Sequence, residues 1–147
     1  MKSLNEDLKT GQFKQIYLLY GQEAYLKKQY KERFIKAMVP EGDTMNYSYY
    51  EGKKTDIKEV IDLAETLPFF AERRLIVFED TGFFKSGGND LADYISSGIP
   101  ETTFFIFIEN TQYTQYFQGT LYLVYSVISI GEFFLCLMNV PDHLHQI

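Results

Sequence analysis

With 147 residues the chain has material for one domain with a full core, and not comfortably for two. Hydrophobic residues make up 46% and charged residues 23%, the balance of a folded chain rather than a disordered one, while 13 Phe and 12 Tyr raise the aromatic share to 17%. A formal net charge of -6 argues against an autonomous nucleic-acid binder, which needs a basic face to displace counterions, so any DNA role would pass through a partner.

Residues 16–20 form a short apolar run bounded by Gly21 and predict a buried strand. A helix follows over residues 22–38. Leu26, Tyr30, Phe34, Ile35 and Met38 make one stripe, and Lys27, Lys28, Lys31, Glu32 and Lys36 take other faces before Pro40 and Gly42 stop it. Residues 45–50 alternate weakly and predict a second, tyrosine-rich strand ending at Gly52. Asp56, with Glu59 three positions on, predicts the cap of a second helix whose face is Ile57, Val60, Ile61 and Ala64 and whose end is Pro68. A third strand runs over residues 74–78 and closes on Glu79 and Asp80. Gly82 to Gly88 reads as a loop, Asn89 as the cap of a short helix through Leu91, Tyr94 and Ile95, and residues 102–108 as a strand covered on both faces. Strand and helix alternate with short connections, which predicts an α/β fold with parallel winding.

The strand–Gly21–helix junction occupies the position of a phosphate-binding loop without its chemistry. Such a loop needs spaced glycines, a lysine and a hydroxyl, whereas Gly21 is followed by Gln22-Glu23-Ala24-Tyr25-Leu26, and Lys27 and Lys28 come about a turn inside the helix. Glu79 and Asp80 stand where a magnesium-holding strand end would place its acids, and Asn110 where an ATPase would place a polar sensor. With no phosphate loop to bring a metal, Glu79 and Asp80 read as solvated acids at a strand end, and the same objection meets Asn110. The lysines from Lys27 to Lys36 read as the solvated face of an amphipathic helix, and Tyr47, Tyr49 and Tyr50 as a half-buried strand rather than a base-stacking platform. His143 and His145, with only Asp142 beside them, make an incomplete metal set. No catalytic, metal or cofactor residue is expected.

In Leu67-Pro68-Phe69-Phe70-Ala71-Glu72-Arg73 two adjacent phenylalanines cannot both enter one core directly after a proline has broken the helix. Spacing alone leaves two readings open, an aromatic cap on the core or exposed anchors for a pocket on another protein.

Residues 16–110 resemble the N-terminal domain of the delta subunit of bacterial DNA polymerase III, the clamp-loader subunit that opens the sliding clamp. Three segments carry the resemblance in order: the first strand and helix from Tyr17 to Leu26, the segment from Leu67 to Phe78, and the strand Pro100-Glu101-Thr102-Thr103-Phe104-Phe105-Ile106-Phe107-Ile108-Glu109. The resemblance implies a RecA-like AAA+ three-layer fold with a mainly parallel sheet and a degenerate nucleotide loop, no catalysis by this chain itself, and membership of a DNA-directed DNA polymerase complex. Its implied partners are the sliding clamp and the other clamp-loader subunits, with DNA reached only through the complex. It also implies a clamp-binding site at Phe69 and Phe70, with Leu67 and Pro68 shaping the turn that presents them.

Residues 1–110 are thus expected to be a degenerate AAA+ domain, and residues 111–147 an atypical apolar tail completing it or appended to it. The charged helix, fifth strand, helical domain and collar domain that the family carries after this point are not recognisable. All 14 basic residues lie between Lys2 and Lys85, and the apolar stretch from Leu121 to Val140 contains Glu132 and has no basic flank, so a membrane span is not favoured. The tail is read first as the scrambled end of a truncated coding sequence, with an unusual fifth unit, an out-of-frame translation or a genuine apolar addition left open. A single cysteine, Cys136, and a charged start without an apolar run place the chain in a reducing cytoplasm. The alternatives carried forward are a divergent P-loop nucleotidase using Glu79 and Asp80, and an interaction domain tethered to a membrane by residues 121–140.

Overall fold

The computed structural model describes residues 2–21, 24–83, 88–110 and 133–137. In chain order the elements are α1 (Lys2–Thr10), β1 (Ile16–Gly21), α2 (Ala24–Met38), β2 (Tyr47–Glu51), α3 (Ile57–Ala64), β3 (Arg74–Glu79), α4 (Asn89–Ser96), β4 (Thr103–Asn110) and β5 (Phe133–Leu137). All strand pairs are parallel, in the order β2-β3-β4-β1-β5.

That order fixes where the helices lie. From β1 the chain crosses to β2 at the sheet edge, then steps back through β3 to β4, and right-handed crossovers taken in opposite directions put their helices on opposite faces. Residue alternation along the strands agrees. Tyr17, Leu19, Leu75, Val77, Ile106 and Ile108 turn to one face, where they pack with Leu4 of α1 and Tyr30, Phe34 and Met38 of α2. Ile16, Leu18, Ile76, Phe78, Phe105 and Phe107 turn to the other, against Val60 and Ala64 of α3 and Leu91, Ala92 and Ile95 of α4. Aromatic rings pack on both faces, and on the second they touch one another. Phe78 stacks on Phe107 with centroids 4.7 Å apart and meets Phe105 edge-on at 5.7 Å.

Local chemistry joins the layers. Asp56 caps α3 as expected, its carboxylate accepting the Lys58 N–H at 3.0 Å. The Thr103 hydroxyl donates to the carbonyl of Ala64 at 2.7 Å and ties the end of α3 to β4. The Tyr17 hydroxyl donates to Asp7 at 2.7 Å, which holds α1 on the sheet, and burial together with this carboxylate pushes the phenol well above its ordinary range.

Four expectations need correction. Helix α1 is not anticipated by the sequence reading. Asn89 is the first residue of α4 rather than its cap; Gly88 takes that position without a side-chain bond, and a Cβ there would come within 2.5 Å of the Phe83 carbonyl oxygen. Lys27 is buried, not solvated. A fifth strand exists: β5 lies inside the apolar stretch and pairs with β1 from Ile16↔Phe133 to Tyr20↔Leu137. The unbroken apolar run of β5 itself carries no period by which helix and strand can be told apart. Among the described residues no helix is long and apolar enough to cross a membrane. Gln22, Glu23, residues 84–87, residues 111–132, and residues 138–147 with His143 and His145 lie outside the described residues, as does the side chain of Asn110.

Candidate functional site

Two regions sit at opposite ends of the strands. The first is the connection from α3 to β3 at the amino-terminal end of the sheet. Both phenylalanines are exposed there, Phe69 at 56% and Phe70 at 94%, beside Leu67 at 72% and Met45 at 62%, whereas Pro68 is half-buried. The two rings meet edge-on with centroids 4.5 Å apart. Phe70 has φ 51, in the left-handed region that a bulky L-residue adopts only when its surroundings impose it. Leaving such side chains in water forgoes about 1.5–3 kcal/mol each, a cost that burial against a partner would remove.

Buried polar side chains hold the residues on either side of Pro68, up to Phe69. Asn46, 2% exposed, accepts the Phe69 N–H on Oδ1 at 2.6 Å and donates from Nδ2 to the Phe69 carbonyl at 2.8 Å. Its Nδ2 also donates to Asp43 at 2.8 Å, and this bond leads the causes that hold the Asp43 carboxyl below its usual range. Arg74, 4% exposed, spreads its guanidinium over three carbonyls: Thr66 at 3.1 Å, Leu67 at 3.2 Å and Met45 at 3.2 Å. Arg73 lies over the rings of Phe13 and Phe104 at 5.2 and 5.8 Å and anchors the return of the loop.

The second region is the crevice at the carboxyl-terminal ends of the strands, where a parallel sheet whose strand order reverses between β1 and β4 usually receives its ligand. A cleft of about 360 Å³ opens there between Ala24, Lys27, Lys28, Lys31, Glu79 and Asp80. Two of its three lysines are already engaged. Lys27 Nζ donates to the backbone carbonyl of Glu109 at 2.9 Å, and burial lowers its pKa against the pull of Asp80, Glu79 and Glu109. Lys31 pairs with Glu79 at 2.9 Å. Glu109, almost fully buried, has its pKa raised to about 7, chiefly by burial; a bond from the Thr81 hydroxyl at 3.1 Å and the Gly82 N–H act the other way.

The family model described as DNA polymerase III, delta subunit, matches residues 17–118. The chain belongs to the DNA polymerase III delta-subunit family. The DNA polymerase III subunit delta of Bacillus subtilis is 30% identical over 109 aligned residues, which cover 67% of this chain and 31% of that protein. Among solved structures, the Bacillus subtilis DNA clamp loader delta protein superposes with a TM-score of 0.74 at 22% identity, over 92% of this chain and 42% of that one. A DNA polymerase III gamma subunit-related protein from Thermotoga maritima gives a TM-score of 0.58 at 15% identity, over 95% and 47%. These likenesses establish the α/β clamp-loader fold. The chain spans about a third of the length of its curated delta-subunit relative.

In this delta-family chain, Leu67, Pro68, Phe69 and Phe70 fall on one loop as the sequence reading placed them. Asn46, Arg74 and Met45 escaped that reading. Nothing in the sequence marks Asn46, but Arg74 opens an otherwise apolar strand directly after Arg73, and a charge at the head of a buried run signals a specific partner.

Proposed function

We propose that the chain is the clamp-contacting part of a cytoplasmic clamp-loader delta subunit, and that Leu67, Phe69 and Phe70, turned outward by Pro68, dock on the sliding clamp. One observation carries the reading: two adjacent phenylalanines are held in water on a loop whose backbone is bonded to buried side chains. Such rigid, exposed aromatics are the usual anchors of a protein interface, and holding them still in the free chain lowers the entropy cost of docking. Met45 widens the same apolar face.

Mechanically, the chain acts by binding the open ring better than the closed one, so that docking shifts the ring's own equilibrium. Hydrolysis of ATP and contact with DNA belong to other subunits of the complex. The family reading makes residues 1–110 a degenerate AAA+ unit that the tail completes, with β5 paired to β1. The nucleotidase alternative would require Glu79 to give up Lys31 before it could hold a magnesium-bound water.

Surface-immobilised sliding clamp titrated with the full chain tests the proposal. Replacing Phe69 and Phe70 together by alanine weakens binding at least about thirtyfold, as loss of a central anchor does. Unchanged affinity refutes the assignment.

A further inference from the structure

The apolar residues are only half of the docking site; something must keep Phe70 pointing outward. Collapse onto the neighbouring apolar surface would bury ring area, and relaxation of φ 51 would release strain, so an untethered loop would drift away from the displayed form. Two tethers oppose this. Asn46 engages Phe69 at both its N–H and its carbonyl, the pattern of a strand neighbour supplied by a single side chain. Arg74 bonds the two carbonyls just before Pro68 and, with its remaining nitrogen, the carbonyl of Met45. The loop before β3 and the segment before β2 are thereby fastened to each other, and the free turn shrinks to the residues around Phe70.

We propose that Asn46 and Arg74 are positioning residues that preset the Phe69–Phe70 loop, and with it Met45, in the form that docks on a partner. This rests on the docking function proposed above. Both side chains are almost fully buried and neither presents a surface to a partner, so their contribution to affinity passes through the loop. Asn46→Ala leaves the Phe69 amide and carbonyl without their partner, and the loop samples conformations that have to be frozen out on binding.

The test combines amide exchange in the free chain with a double-mutant cycle against the sliding clamp. In the full chain, Asn46→Ala speeds hydrogen exchange of the Phe69 amide about tenfold while the amides of β3 and β4 keep their rates. It weakens clamp binding about tenfold, and most of that loss disappears when it is measured in a Phe70→Ala background, because the anchor it positions is gone. A merely structural role predicts the same loss in both backgrounds, and that result overturns the proposal. So does an Asn46→Ala chain that binds like the parent while Phe70→Ala alone is weakened. Phe70→Ala with undiminished binding overturns the docking function itself, and the role of Asn46 with it. Should Asn46→Ala fail to fold, Arg74→Lys carries the same cycle, since it keeps the charge and loses the fork that reaches three carbonyls.

Discussion

The ammonium of Lys27 donates to the backbone carbonyl of Glu109 at 2.9 Å, fastening the first turn of α2 to the end of β4. A lysine in the first turn of the helix after β1 would, in a nucleotide-binding relative of this fold, be expected to face phosphate. Here it is sequestered by a carbonyl, and Lys31 beside it is neutralised by Glu79. Millimolar ATP with magnesium is therefore expected to leave the unfolding midpoint within about 1 °C of its value in buffer, since only a ligand that binds the folded state raises it. A concentration-dependent rise, with saturable heat in calorimetry, would restore the nucleotidase reading.

Glu109 makes the stability of the fold depend on pH. Between pH 4.5, its unperturbed value, and about 7, its value in the folded chain, the native state keeps a proton that the unfolded chain has released. Stability from this group is thus fully present below that window and is lost as pH rises through it, by up to about 3 kcal/mol. Glu109→Gln retains an acceptor for Thr81 and carries no charge. Its melting point is expected to match the parent's near pH 5 and to exceed it at pH 8; parallel profiles for the two chains would defeat the argument.

Position 70 should invert an ordinary preference. At φ 51 an alanine is strained and a glycine is not, so Phe70→Gly is expected to be more stable than Phe70→Ala by about 1 kcal/mol, against the usual order set by unfolded-state entropy. Both should lose clamp binding alike. Chemical denaturation of the two variants decides the point, and an alanine variant at least as stable as the glycine one would show that the loop relaxes.

Truncation within the aromatic cluster beneath α3 and α4 is expected to be costly. Phe78 is fully buried and touches the rings of Tyr50, Phe83, Phe105 and Phe107. Phe78→Ala is expected to cost about 3–5 kcal/mol, read from urea midpoints at unchanged slope. A cost under about 1 kcal/mol would mean that the neighbouring rings close the gap.

The layers were legible because β1, β3 and β4 are apolar runs of strand length, and because the α3 stripe at Ile57, Val60, Ile61 and Ala64 has a helix period. The exposure of Phe69 and Phe70 was legible only in part, through the proline before them. Helix α1 escaped since Leu4 and Leu8 alone make its apolar face, too little to separate nine residues from a charged leader. For Lys27 position and charge point opposite ways: it sits on the stripe of Tyr30, Phe34 and Met38, three, seven and eleven positions before them, while its charge predicts solvent. The tethers Asn46 and Arg74 bond to backbone atoms of other segments, some near and some distant in the chain, and a carbonyl leaves no signature in a residue pattern.

The two ends of the sheet carry a mechanical consequence. Met45, Leu67, Phe69 and Phe70 precede β2 and β3, whereas Lys27, Glu79 and Glu109 gather where β1, β3 and β4 finish. Six residues of extended chain separate the poles by about 20 Å. On the docking proposed above, a ring held by the Phe69–Phe70 loop stays a full strand length from the crevice, so neither region covers the other and each can be altered with the second left in place.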